Sequence, residues 1–280
     1  MGEPLVTVVI RTTGRPELSE ALCSVAAQTY SRIEVILVDV EGKGSIALDE
    51  GCGNFEVRLI SSGTHLSRGA AANVGLDAAR GDYMVFLDDD DWFLSDHVAC
   101  LVSAVSESES ARAAYVGIEC RRRNNLGMWE RVHVFNEPYN PTRLLLENFL
   151  PIHAVLFERA LLGKQLRFEE TFQVYEDWDF WIQLSQLTTL VQVDRVTAVY
   201  RISSTSGFGV REDDARIDSG YVALLEKWRS LWTAEQLLAI SSIPRLAARD
   251  AAEARRVIAM QAETITALRA QLSRTATDLE

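Results

Sequence analysis

Four carboxylates, Asp88, Asp89, Asp90 and Asp91, follow directly on the apolar run 83–87. Alternate residues of an extended chain share a side, so Asp88 and Asp90 can present oxygens together. Two hard oxygens on one side suit Mg2+ or Mn2+, ions that keep open positions for water and substrate phosphates. Like charges crowded at a buried strand's end repel and lose solvation, and a bound cation offsets that cost. An acidic turn complementing a helix dipole is the other reading of one or two such acids; four in a row favour the metal. Asp39 ends a second apolar run, 33–38. A further pair, Glu176-Asp177, opens a helix whose Phe180, Trp181 and Leu184 lie on one face with Asp177. Packing of that face fixes the first turn rigidly, as a catalytic carboxylate requires. Acids placed only to meet the helix dipole are the alternative.

These acids need elements to hold them. Short apolar runs at 6–10, 33–38, 56–60 and 83–87 predict strands buried within a sheet. Between them, Leu18, Ala21, Leu22 and Val25 mark an amphipathic helix, 70–79 is Ala-rich and helical, and Ser95 opens a helix to about Val105. Alternation of this kind predicts an α/β fold with a mostly parallel sheet flanked by helices. Ligands of such sheets bind outside the carboxyl ends of the strands, where Asp39 and Asp88–Asp91 stand. Strands at 114–122 and Trp129–Phe135 predict a hairpin around Asn124-Asn125. A short helix over 142–149, a helix over 176–187, a strand over 190–202 and a Ser/Gly loop at 203–209 follow. The division expected is a main domain over 1–210, a helical segment over 211–246 and a coiled-coil helix over 247–280.

Composition narrows the function. The chain has 280 residues, 48% of them apolar, and a net charge of −12. That excludes disorder as the main state and argues against nucleic acid as a partner. The run Arg121, Arg122, Arg123 reads as a solvated edge. An anionic substrate must then be neutralised locally, by a metal or a few placed cations. No Cys pair has CxxC spacing, and Cys23 and Cys100 read as buried thiols, which fits a reducing cytoplasm. No apolar run approaches the length of a membrane span.

The segments Val6-Thr7-Val8-Val9-Ile10-Arg11-Thr12, Arg15-Pro16-Glu17-Leu18, Ser24 to Tyr30, Ala71-Ala72-Asn73-Val74-Gly75, Ala79 to Tyr83 and Phe86-Leu87-Asp88-Asp89-Asp90-Asp91-Trp92, in this order and spacing, resemble the GT-A-fold family 2 inverting glycosyltransferases of the bacterial cell-surface polysaccharide type. The resemblance covers about residues 5–205. It implies a nucleotide-sugar-binding half over 1–110, an acceptor half over 111–210, and transfer of a sugar from a nucleotide-sugar donor with inversion. It implies Mn2+ or Mg2+ on a D-x-D motif, here Asp88-Asp89-Asp90, with Asp88 and Asp90 on the metal and Asp88 and Asp89 near the donor. A metal stabilises the charge that grows on the departing diphosphate.

By the same resemblance Thr12 lies near the base. Asp39 either accepts an N–H of uracil, thymine or guanine, which adenine lacks, or merely opens a turn. Arg68 either replaces an Arg that the family carries at Ala72 and meets the diphosphate, or is a surface residue. Asp177 matches the family's base. Glu176 and Trp178 border the acceptor, and His153 either lines the acceptor site or is a core histidine. The chain departs from the pattern at Arg11 for Pro, Thr13 for an aromatic, Val40 for a second Asp and Ser203 for a metal-binding His. Without a Gln-x-x-Arg-Trp motif or membrane helices, a single addition to a glycan or lipid-linked acceptor is expected, in the cytoplasm or at the inner face of the membrane. A sugar-1-phosphate nucleotidyltransferase and a non-catalytic scaffold are the competing readings; the first lacks its Gly-rich loop here.

Ile258, Ile265, Leu268, Leu272 and Leu279 form an apolar seam on the last predicted helix. Leaving it exposed is unfavourable, so it should recruit another copy or a different partner. Deleting residues 248–280 should convert a dimer or trimer to a monomer in light scattering while nucleotide binding survives. A full-length chain that is monomeric at tens of micromolar rules out self-association.

Overall fold

The computed structural model describes residues 2–46, 55–163, 166–202 and 215–238. The chain divides into two units, Met1–Trp228 and Arg229–Glu280. Of the second, only a turn of helix at Arg229–Leu231 and a helical stretch at 234–238 fall among the described residues. The coiled-coil expectation and the 203–209 loop lie outside them.

The first unit is built on one nine-stranded sheet. Its strands are β1 (Val6–Thr12), β2 (Ile33–Asp39), β3 (Glu56–Ser61), β4 (Tyr83–Asp88), β5 (Trp92–Phe93), β6 (Ala113–Arg123), β7 (Trp129–Phe135), β8 (Val155–Glu158) and β9 (Leu190–Arg201). They lie in the order β3-β2-β1-β4-β8-β6-β9-β5, with β7 paired to β6. The first four are mutually parallel, and so are β6 and β9. β8 is antiparallel to both β4 and β6, so the two parallel groups run the same way and share one carboxyl rim. Every residue of β1 and β2 is buried, as expected of β-branched strands covered on both faces. In register, Arg11 stands opposite Asp88 and, one residue further on, Thr12 stands opposite Asp39, so these four rim residues occupy two successive levels.

The helices are α1 (Leu18–Ala26), α2 (Arg68–Ala78), α3 (His97–Glu107), α4 (Pro141–Leu144), α5 (Glu176–Ser185) and α6 (Ala215–Trp228). α1 buries Leu18, Ala21, Leu22 and Val25, the stripe its spacing predicts. Its Cys23 is exposed and Cys100 on α3 is half-buried, so neither is the core thiol expected. α3 starts after Asp96 rather than at Ser95. α4 stops at Leu144, short of the expected 149, because tertiary donors compete for the carbonyls beyond. The indole N–H of Trp178 donates to Leu144 O at 2.5 Å, and that of Trp181 to Leu150 O at 2.9 Å. α6 belongs to the first unit, so the expected boundary at 210 moves to Trp228. Buried Asp179 on α5 holds α6 by accepting from Lys227 Nζ and Trp228 Nε1, each at 2.8 Å.

α2 lies against β1 at Gly75, where a Cβ would collide with Val9 Cγ1. Val9 is fully buried and has nowhere to go. Gly75→Ala is therefore expected to cost about 1–3 kcal/mol through overpacking, read as a lower urea midpoint. An unchanged midpoint would show that α2 can lift from the sheet.

Candidate active site

Arg11 interrupts an otherwise uncharged buried strand, and burial forces it to find partners. Its Nη2 lies 2.6 Å from Asp88 Oδ1 and its Nη1 3.2 Å from Glu176 Oε1. Arg68, at the start of α2, closes the ring with Nη2 3.2 Å from Asp88 Oδ2 and Nε 2.8 Å from Glu176 Oε1. Two cations thus alternate with two acids. Burial pushes the Asp88 carboxyl up, but Arg11 and Arg68 outweigh it and hold it below the ordinary range. Glu176 raises the Arg68 guanidinium despite desolvation, and Arg11 is raised as well, its burial outweighed by Asp88 and Glu176. Arg68 is half-exposed in the mouth of the site, so water screens its pairs more than those of Arg11.

The other acids of the row go separate ways. Asp89 Oδ2 accepts from Thr12 Oγ1 at 2.7 Å and from Thr13 N at 3.1 Å. Asp90 Oδ2 meets Arg15 Nη1 at 2.6 Å, and the same nitrogen stands 3.6 Å from Asp89 Oδ1. A positive group therefore fits between Asp89 and Asp90. Asp88 has both oxygens taken by arginines, whereas Asp89 and Asp90 share Arg15. Among the described residues, no three His, Cys, Asp or Glu side chains converge into a ready cage. Asp91 turns inward: its Oδ1 accepts from Arg201 N at 2.7 Å, and its Oδ2 lies 3.3 Å from His153 Nδ1. Burial holds the Asp91 carboxyl well above the usual carboxyl range and pulls the His153 imidazole down to about 4.

Three expectations are corrected here. His153 is wholly buried beside Asp91 and faces no acceptor. Trp178 is 3% exposed with its N–H spent on Leu144, so it is core rather than a platform for a sugar ring. Asp39 accepts from Glu41 N and Gly42 N at 3.1 Å, Gly44 N at 2.7 Å and Ser61 Oγ at 3.0 Å. A carboxylate has about four acceptor sites, so its capacity is filled by its own loop. Burial pushes the Asp39 carboxyl up, but Gly44, Ser61, Gly42 and Glu41 together hold it below the usual range. It shapes the turn rather than reading a base.

α5 delivers the remaining carboxylate. Tyr175, just ahead of it, adopts φ 67°, an uncommon conformation for a bulky residue. Strain of this sort persists only where the surroundings fix it, and it clusters at functional sites. The next turn then presents Glu176 to the arginines and Asp177 to the open side. Asp177 Oδ1 accepts from Trp178 N at 2.7 Å and Oδ2 from Asn148 Nδ2 at 3.2 Å. Burial, then the neighbouring Glu176, raises the Asp177 carboxyl to about 6.

Two cavities meet here. One of about 120 Å3 is lined by Arg11, Thr12, Thr13, Arg15, Val40, Arg68, Asp88, Asp89, Asp90 and Tyr200. The other, of about 230 Å3, is lined by Glu176, Asp177, Asn148, Phe135, Tyr175 and others, and shares Arg68, Asp88 and Tyr200 with the first. Sequence reasoning missed Arg11, Arg15, Asn148 and Tyr200 as site residues. Arg11 had a signal, a lone charge in a buried strand; Asn148 and Tyr200 had none.

A parallel α/β sheet carrying acids and arginines on its carboxyl rim, beside a second antiparallel-edged half, is the build of a GT-A transferase. The chain belongs to glycosyl transferase family 2, whose profile matches residues 7–165. It is 23% identical over 201 residues to an uncharacterized glycosyltransferase, YwdF, of Bacillus subtilis, covering 71% of this chain and 74% of the relative. It is 27% identical over 197 residues to a PGL/p-HBAD biosynthesis glycosyltransferase of Mycobacterium bovis, covering 68% of this chain and 73% of the relative. The crystal structure of residues 1–349 of Staphylococcus aureus TarS with UDP-GlcNAc matches the fold with a TM-score of 0.58 at 17% identity, over 79% of this chain and 64% of that one. Against a longer TarS structure this chain spans 37% of the length. Membership of this family favours glycosyl transfer over the nucleotidyltransferase and scaffold readings. No helix among the described residues is long and apolar enough to cross a membrane.

Removing Arg11 leaves Asp88 and Glu176 without their buried partner. Arg11→Met is expected to destabilise the fold by about 3–5 kcal/mol, measured by chemical denaturation. A loss under about 1 kcal/mol would mean that Arg68 alone balances both acids.

Proposed function

We propose that the chain transfers a sugar, with inversion, from a UDP- or dTDP-sugar to a hydroxyl of a glycan or lipid-linked acceptor, aided by Mn2+ or Mg2+. The observation that carries this reading is the pair of joined cavities, one rich in cations and acids, the other holding Asp177. A diphosphate suits the first, since Arg11, Arg15 and Arg68 line it. The TarS complex with UDP-GlcNAc supports a uridine donor. Asp39 does not, because its own loop fills it.

Asp90, with Asp89 beside it, would hold the cation, whose chemistry when bound is to stabilise charge on the diphosphate. The protein's own groups supply the rest. Arg68 stands between the two cavities, where it can meet the diphosphate on one side and the reacting centre on the other. Glu176, held by Arg11 and Arg68, fixes the first turn of α5. Asp177 lines the second cavity and takes the proton of the acceptor hydroxyl as that oxygen attacks. A base tuned to about 6 is ionised at neutral pH yet still basic enough to accept a proton.

A base acts only when ionised. kcat/KM should therefore rise with pH through about 6 and level off above it. Asp177→Asn should fold and bind UDP but lose roughly two to four decades of transfer, with the acidic limb abolished. Near-normal transfer by this variant would remove Asp177 from the chemistry.

A further inference from the structure

Arg15 has no task in the reading above beyond lining the cavity. It follows Gly14, whose φ of 81° turns the chain in open space between β1 and α1. The backbone before it is pinned, with Gly14 N donating to Thr12 Oγ1 at 2.9 Å and Thr12 Oγ1 to Asp89 at 2.7 Å. The Arg15 side chain is not pinned. It is 44% exposed and, among the described residues, its ion pairs are with Asp90, at 2.6 Å, and Asp89, at 3.6 Å. Arg11, by contrast, is 5% exposed and is held by Asp88, Glu176 and the carbonyl of Arg68. Among the described residues, no other cationic side chain pairs with the carboxylate of Asp89 or Asp90; Arg201 Nε donates to the backbone carbonyl of Asp90 at 2.7 Å.

We propose that Arg15 is a resident counter-ion that couples the two halves of the donor: it holds the place between Asp89 and Asp90 until a divalent cation and a nucleoside diphosphate arrive together. This rests on the assignment of the cation to Asp89 and Asp90. A guanidinium and a divalent ion cannot share Asp90 Oδ2, so cation alone must displace Arg15 against like-charge repulsion. A diphosphate changes the balance. Its oxygens offer the guanidinium a planar, charge-assisted partner within the same cavity. Arg15 then leaves the acids for the phosphates, and the cation takes its place. Cation and nucleotide each favour the other by the same factor, as linkage requires. The four-acid row is thereby kept neutralised in the free chain without a tightly held metal.

Mn2+ binding to the full chain, followed by its electron paramagnetic resonance signal with and without UDP, tests this. Arg15→Gln should bind Mn2+ alone about two- to fivefold more tightly than wild type, the range of a partly exposed ion pair. UDP should then enhance Mn2+ affinity by a correspondingly smaller factor. Arg15→Lys keeps the charge and should behave as wild type. The position is exposed and tethers no core element, so all three chains should give the same far-UV circular dichroism. Equal or weaker Mn2+ binding by Arg15→Gln overturns the proposal and leaves the metal assignment standing. A lysine variant that binds as the glutamine variant does overturns it too, because charge is the claim. Absence of Mn2+ binding in every chain overturns both it and the metal assignment.

Discussion

The ring of Arg11, Asp88, Arg68 and Glu176 is the constraint on which the rest of the site depends. Its members come from β1, β4, α2 and α5, and Arg11 is 165 positions from Glu176. Charges taken from water are costly unless each is paired and hydrogen-bonded. Arg11, Asp88 and Glu176, all largely buried, therefore hold one another in place, while half-exposed Arg68 completes the ring from the mouth of the site. The parallel register of β1 and β4 sets Arg11 opposite Asp88. Only then can Arg68 and Glu176 complete the alternation. A buried arginine in the first strand thus fixes where α5, and with it Asp177, must stand.

The sheet that carries this ring was readable in advance because its signals are local. Buried apolar runs gave β1, β2 and β4, the Ala-rich stretch gave α2, and the stripe of Leu18, Ala21, Leu22 and Val25 gave α1. Gly75 has a packing reason that the chain alone did not disclose: Val9 leaves no room for a Cβ. The two-residue β5 and the four-residue β8 escaped notice because their pairing partners are distant in sequence and they are too short to show a period. α4 was overextended for a related reason, since Trp178 claims the Leu144 carbonyl that a helix of 142–149 would need.

Residue types were easier to foresee than their orientations. The acids at the rim were singled out, yet which oxygen meets which donor follows from tertiary placement. Asp39 has a strand-end position suited to reading a base, but the backbone N–H groups of Glu41, Gly42 and Gly44 already donate to its carboxylate. Asp88 and Asp90 were expected to face one ion together. The ring draws Asp88 away, and the tight turn after β4 leaves Asp90 with Asp89 instead. His153 shows the same lesson from the other side, because its polar character suggested a ligand surface while its burial beside Asp91 makes it core.

The carboxylates of the site are pushed in opposite directions by surroundings that differ only in which cations they reach. Asp88 sits between two guanidinium groups and stays ionised. Asp177 is next in sequence to Glu176, which has already taken Arg11 and Arg68. Burial and that neighbour therefore raise it to about 6, and the arginines only partly offset the rise. Environments that separate carboxylate pKa values can set a fixed anion beside a working base within one site, the division that the proposed function assigns to Asp88 and Asp177. Glu176 is the hinge of this division: by occupying the cations it keeps them from Asp177, and by opening α5 after the strained Tyr175 it turns Asp177 toward the second cavity. The same four-membered ring that secures the fold thus leaves one carboxylate basic enough to accept a proton.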